Sequence, residues 1–359
     1  MPETSFVRQP SASVRKALQH ARQACLDAGR GVAMRQGVDI EFLHEAGVIL
    51  RPHAIGVCRS DAKEAAGRRP GPSQFGHELV ADIVECWGTE AFSTGDIVSL
   101  DPNVVLHRTS GFAELIALDA PAAALEAALY KLPQRQGRLA HYVLAEPVAC
   151  AEHCVRMALD GVSALPERVI VAGAGTMGVF IALGLQRRGM RVVLANRSEE
   201  RLRFAESLGL HGIGLSRLDT VKPGADLIVL ATTFVPRALL DAAMNMVADG
   251  GRITLFGGIE PAFGDYLGID VQALRLAERR QHLVLADGRR VELAGSYGLQ
   301  REDFLHALDL IGSGAISPAL LEQMITGRHA LHEVPALLRA MNGGQDLGKR
   351  LILPHGPPP

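Results

Sequence analysis

The sequence predicts an α/β protein of two domains, a doubly wound parallel sheet and a small, strongly bent antiparallel β-barrel. Three observations predict it. From Ala21 to about Leu100, short β-rich segments alternate with Gly and Pro turns. The apolar run Arg168–Ala172 leads directly into Gly173-Ala174-Gly175-Thr176-Met177-Gly178 and then a helical stretch through Leu185. Between about Val148 and Leu293, strands at Val169, Val192, Leu227 and Ile253 alternate with helical runs, the pattern of a doubly wound sheet. A chain of 359 residues with 48% hydrophobic content is long enough to bury two cores.

Taken in order, residues 1–20 form an N-terminal extension with a short helix expected from Val14 to Cys25. Residues 21–147 and 296–359 make the barrel domain, in which Gly47–Val57 leads straight to Cys58. The Ala-rich stretch Pro121–Leu139 reads as helical and as part of a substrate wall. Residues 148–295 make the dinucleotide-binding domain. After it the chain returns to the barrel, with helical patterns at Phe304–Gly312 and Val334–Met341 and a last strand at Lys349–Leu353. A pocket is expected between the two domains, where such sites commonly form.

Cys58-Arg59-Ser60-Asp61, Gly76-His77-Glu78 and Glu146-Pro147 together offer a thiolate, an imidazole and a carboxylate. Such a set holds a zinc ion while keeping one coordination position open for chemistry, whereas a structural site would close all four with Cys and His. Cys150 and Cys154 compete with Glu146 for the third position, but lie about one and two helical turns further on if a helix begins at Val148. His153 reads as packed or solvated.

In the strand–turn–helix unit, the glycines permit a tight turn and let the backbone approach a pyrophosphate seated on the positive end of the helix. Gly173, Gly175, Thr176, Met177 and Gly178 are therefore the expected cofactor contacts. NAD-specific sites usually end the second strand with a carboxylate that bonds the ribose. Here that place reads Asn196-Arg197-Ser198, so repulsion of a 2′-phosphate is gone and Arg197 can pair with one. NADP(H) is favoured over NAD(H), although Asn196 can still bond a ribose.

The order of these motifs, with Gly95–Val98 (Gly-Asp-x-Val), Gly111–Glu114 (Gly-Phe-Ala-Glu) and Gly348-Lys349 before an apolar strand, resembles the medium-chain, zinc-dependent alcohol and polyol dehydrogenases from about Ala21 to Pro354. Gly295-Ser296-Tyr297-Gly298 followed by Arg301-x-Asp303-Phe304 looks most like the sorbitol, threonine and cyclitol branch. The resemblance implies a GroES-like barrel joined to a Rossmann domain. It implies that Cys58, His77 and Glu146 are the zinc ligands, that Glu78 is an occasional one, that Asp61 orients His77 and that Arg59 contacts the pyrophosphate. It implies that Ser60 relays the hydroxyl proton, although the family's next relay histidine is here Lys63. The family's four-cysteine lobe for a second zinc is replaced by the cysteine-free Asp101–Ser110, so one zinc per chain is expected.

The implied reaction is hydride exchange between a secondary alcohol and a nicotinamide, interconverting alcohol and ketone. Two rivals are a zinc-free enoyl or quinone reductase, which the intact Cys58, His77 and Glu146 oppose, and a catalytically silent nucleotide-binding regulator, for which no damaged motif speaks. A formal net charge of −2 and short, scattered basic clusters exclude a nucleic-acid stripe. No signal-peptide core or membrane-length apolar run is present, and five cysteines at irregular spacing do not form a disulfide framework. The expectation is a cytoplasmic enzyme of a small-molecule substrate, a homodimer or homotetramer, with the family hint that subunits pair along the Gly251–Gly257 strand edge.

Overall fold

The computed structural model describes residues 9–27, 31–69, 72–132, 139–220, 223–260, 262–341 and 346–356. The chain divides into two compact units, Met1–Glu146 with Leu308–Pro359, and Pro147–Ala307.

In the first unit, helix α1 (Ala12–His20) starts at Ser11, whose hydroxyl accepts from the Val14 amide at 3.4 Å and donates to Glu85 at 2.7 Å. The helix stops at His20 rather than reaching Cys25. Ala21 turns to extended backbone, and Arg22–Asp27 pairs antiparallel with Gly31–Gln36, so hairpin pairing overrides the helical pattern over the last residues. Leu18 packs into a small core with Phe42, Ile49 and Trp87.

The main sheet of this unit has eight strands, along the order Ile325–Ala330, Lys349–Leu353, Ala46–Val57, Glu78–Trp87, Ile97–Leu100 and Leu129–Lys131, with Ile116–Ala120 on Ala46–Val57 and His107–Arg108 on Ile116–Ala120. Ala46–Val57 serves two partners on the same side, pairing with Ile116–Ala120 over its first half and Lys349–Leu353 over its second. Register breaks at Ile49/Leu50 and Pro52/Ala54 supply the bend this requires. Leu50, Ile55, Leu79, Phe112, Leu118 and Leu125 fill the concave side, each fully buried and contributing roughly 1.5–3 kcal/mol. Helix α2 (Arg59–Ala65) follows the long strand without a break. In the Ala-rich stretch, helix α3 covers only Ala122–Ala128, a strand follows at Leu129–Lys131, and residues 133–138 lie outside the described residues.

Helix α4 (Ala145–Leu159) leads into the second unit. Its seven-stranded sheet runs His211–Gly214, Arg191–Asn196, Arg168–Ala172, Ala225–Leu230, Val247–Leu255, Arg290–Gly295, Arg280–Val284. The first six are parallel in the doubly wound order, and Arg280–Val284 adds an antiparallel edge. Val247–Leu255, which carries most of the Gly251–Gly257 segment, is interior, bonded to Ala225–Leu230 on one side and Arg290–Gly295 on the other. It has no free edge, which corrects the expectation that subunits pair there; the edges are His211–Gly214 and Arg280–Val284.

Candidate active site

Cys58 stands at the N-cap of α2, where the chain leaves the long strand in extended conformation. Asp61, one turn into that helix and 1% exposed, binds both ligand loops: one carboxylate oxygen accepts from the Cys58 amide at 2.8 Å, the other from the Gly76 amide at 2.9 Å. Gly76 is required there. Its φ is +69°, and a Cβ would come within 2.6 Å of the Gly111 carbonyl carbon and the Phe112 nitrogen. The tight loop delivers buried His77 with Nδ1 donating to the Gln74 carbonyl at 2.9 Å and Asp61 Oδ1 at 3.4 Å. Donation from Nδ1 leaves the Nε2 lone pair for a metal.

Ligand atoms of Cys58, His77 and Glu78 lie within 4.8 Å of one another. Glu78 Oε1 accepts from Lys349 Nζ at 2.6 Å, while Oε2 is buried without a hydrogen-bond partner among the described residues. Gly56 makes room for that carboxylate, because a Cβ there would collide with it and approach Val143 Cγ1 to 2.8 Å. The Ser60 hydroxyl is likewise sealed and unpartnered. A thiol, an imidazole with its outer nitrogen fixed, and an unsatisfied carboxylate oxygen form a donor set that fits a zinc ion. Burial pushes the His77 pKa down, but Asp61 and Cys58 more than offset this and leave it well above its ordinary value. Burial opposes the Lys349 charge too, and Glu78, Cys58 and Glu146 together raise it.

The structure groups Glu78, and not Glu146, with the thiolate and imidazole. Glu146 is half-buried in the first turn of α4, and its charge acts on Lys349. The geometric reason is local: Glu78 adjoins His77 at the head of its strand, whereas Glu146 comes from a different element. Cys150 is half-buried and Cys154 fully buried, with its thiol pushed up to about 12 by burial. His153 is a packed residue, held in the second unit between Asp303 at 2.7 Å and Glu278 at 2.6 Å.

In the second unit the glycine turn has the stereochemistry its sequence demands. Gly173 has φ +123°, and a Cβ would sit 2.7 Å from the Ala231 carbonyl carbon; a Cβ on Gly178 would run into the Gly173 carbonyl. Gly175 is the N-cap of helix α5 (Thr176–Arg187), with no side chain bonded over the helix end, and Thr176 and Met177 are half-buried in the first turn. That end suits an anion. Asn196 ends its strand with its side-chain oxygen accepting from the Ser198 amide at 2.9 Å, and Ser198 caps helix α6 (Glu199–Ser207). Arg197 is exposed.

The segment 44–157 matches the family model described as alcohol dehydrogenase GroES-like domain, and 168–247 matches one described as NADP oxidoreductase, coenzyme F420-dependent. The chain resembles the zinc-type medium-chain alcohol and polyol dehydrogenases. It is similar to D-altritol 5-dehydrogenase of Agrobacterium fabrum, 29% identical over 265 residues that span 65% of this chain and 75% of the relative. Among solved structures, galactitol-1-phosphate dehydrogenase from Escherichia coli superposes with a TM-score of 0.70 at 19% identity, covering 93% of this chain and 100% of that one. 2R,3R-butanediol dehydrogenase from Bacillus subtilis does so at 0.69 and 18%, covering 93% and 100%. These solved structures establish the GroES-like and Rossmann fold.

Two residues of this dehydrogenase escaped sequence reasoning. Arg201, in the first turn of α6, places Nη1 within 3.3 Å of where a Cβ on Gly175 would stand, at the phosphate turn. A basic residue one turn into the helix after the second strand was the available signal. Lys349 stands in the sequence only as part of Gly348-Lys349 before an apolar strand, and nothing local to it indicates a meeting with Glu78. Arg59 occupies the first turn of α2, half-buried. Among the described residues no helix is long and apolar enough to cross a membrane.

Proposed function

We propose that this protein is a dehydrogenase that interconverts a secondary alcohol, borne by a polyol, cyclitol or amino alcohol, and the matching ketone, using one zinc ion per chain and NADP(H) in preference to NAD(H). The observation that carries the reading is the convergence of Cys58, His77 and Glu78 beside a sealed Ser60 hydroxyl. Cys58 and His77 hold the metal, with Glu78 or Glu146 as the carboxylate donor. A zinc ion there supplies Lewis acidity, which lowers the pKa of a substrate hydroxyl and steadies negative charge on the ketone oxygen.

The chain's own residues do the rest. Ser60 accepts the substrate hydroxyl proton and passes it outward; its hydroxyl both donates and accepts, which a relay needs. Lys349 neutralises one oxygen of Glu78 and leaves the other as a donor beside Cys58 and His77. Hydride passes between the carbinol carbon and the nicotinamide ring of a cofactor whose phosphates rest on Gly173–Gly178. Arg197 recognises the 2′-phosphate that Asn196 does not repel, and Arg201 stands at the phosphate turn that both cofactors share.

The polyol relatives support the substrate class. A cytoplasmic setting, which keeps Cys58 reduced, and a homodimer or homotetramer complete the proposal. Metal analysis combined with a panel of polyols, cyclitols and ketones against both cofactors tests it. One zinc per chain and turnover of a secondary alcohol with NADP+ are expected; a metal-free protein that reduces enones would establish the zinc-free reductase instead.

A further inference from the structure

We infer that Gln74 is a positioning residue for His77, and that through it the cysteine-free segment Asp101–Ser110 anchors the metal-ligand loop. The inference rests on the donor set proposed above. A neutral imidazole donates from one nitrogen only, and the acceptor facing that nitrogen decides which one remains for a metal. The shorter contact of His77 Nδ1 is the Gln74 carbonyl at 2.9 Å, against 3.4 Å for Asp61. Gln74 therefore selects the tautomer and the ring plane.

That carbonyl is itself held in place by the rest of its residue. The Gln74 side-chain Nε2 donates to the Pro102 carbonyl at 2.5 Å, and its Oε1 accepts from Arg69 Nη2. The Gln74 amide donates to Glu64 Oε2 at 3.3 Å, and Arg69 also donates to the Pro72 carbonyl at 3.0 Å. One residue on, the Phe75 carbonyl accepts from the Gly111 amide at 3.0 Å and from Arg108 Nη2 at 3.2 Å, while the Phe75 ring meets Phe112 edge-on at 4.9 Å. The Ser73–His77 turn is thus tied on one side to α2 through Glu64 and Arg69, and on the other to the segment that stands where a second metal lobe would be. Asp61 fixes the Gly76 amide; Gln74 alone spans both sides and presents the carbonyl to His77.

A cavity of about 50 Å³ lined by Arg69, Gln74, Pro102 and Arg108 lies behind the turn. Without the side-chain bonds to Arg69 and Pro102 the peptide is free to rotate towards that space, so His77 loses its acceptor. Outer partners of this kind are worth about 10- to 100-fold in metal affinity.

The test is chelator competition for zinc, with the visible spectrum of the cobalt-substituted protein, on wild type, Gln74→Met and Cys58→Ser. Gln74→Met keeps volume and removes both side-chain hydrogen bonds. A 10- to 100-fold loss of zinc affinity with an altered cobalt ligand-field spectrum, in a protein whose circular dichroism is native, is expected. Wild-type affinity and spectrum in a folded Gln74→Met overturn the positioning role. If that variant does not fold, Gln74→Glu, which keeps the acceptor for Arg69 and loses the donor to Pro102, carries the same comparison with the same two outcomes. Zinc binding that Cys58→Ser leaves untouched would instead defeat the donor set, whatever Gln74 does.

Discussion

Lys349 Nζ lies 2.6 Å from Glu78 Oε1, with the two side chains 6% and 1% exposed. This places a fully formed, buried ion pair beside the metal-ligand loop. Removing one partner of a buried pair leaves an uncompensated charge, which costs about 3–5 kcal/mol. Lys349→Met should lower the free energy of unfolding in urea by about that much, and adding Glu78→Gln should recover part of the loss. Equal stability of Lys349→Met and wild type would show that the pair is not formed in solution.

The clasp around His153 should make stability depend on pH. Burial pushes its pKa down, but Asp303 and Glu278 more than offset this and raise it, and Arg156 joins the same carboxylate at 2.9 Å. Both ring nitrogens meet carboxylates, and a charged ring donates to each. A raised value contributes stability that is full below the unfolded value, ordinarily about 6.5, and is lost as pH rises through the folded value. Asp303, held low against burial by His153 and Arg156, contributes stability present above the ordinary carboxylate range and lost on acidification. Urea unfolding from pH 5 to 10 should show His153→Gln costing most near pH 6 and progressively less towards alkaline pH; a pH-independent cost would contradict the charged clasp.

Cys58→Ser and His77→Ala should abolish turnover and remove zinc while the circular dichroism spectrum stays native, because the barrel core is made by apolar side chains and not by the donors. Global unfolding in either variant would mean that the site is a structural clamp. Metal analysis of wild type should return one zinc per chain.

Arg197→Ala should weaken NADPH binding and spare NADH, whereas Arg201→Ala, at the phosphate turn, should weaken both. A charge-assisted contact contributes roughly 1.5–3 kcal/mol, or about tenfold to a hundredfold in affinity. Fluorescence titration of both cofactors separates the two. A wild-type preference for NADH would reverse the cofactor assignment.

Ser60→Ala should lower the maximal rate of alcohol oxidation by about 10² to 10⁴, the range for a positioned proton-transfer group, with zinc content and cofactor affinity unchanged. Near wild-type rates at every pH, with a deuterium isotope effect proving chemistry rate-limiting, would show that the proton reaches solvent without Ser60.

What could be read in the sequence was what short-range stereochemistry dictates. The Gly173–Gly178 turn needs glycine because neighbouring backbone occupies the Cβ positions, and that need is written in a six-residue spacing. Cys58 at a strand-to-helix junction and His77 after a positive-φ glycine are similarly local, and the alternation of strands and helices announced the parallel sheet. Which carboxylate lies beside them came from tertiary structure alone. The sequence motifs put Glu146 first and Glu78 as an occasional ligand, whereas only the folded chain brings Glu78 to Cys58 and Lys349 to Glu78. The same holds for Arg201 beside Gly175, for the Pro102 carbonyl that fixes Gln74, and for the hairpin that ended α1 early. The physical reason is common to all of these. Backbone conformation and periodicity are set by a residue and its near neighbours, whereas a buried polar atom takes whichever partner the packing of distant segments brings within hydrogen-bond reach.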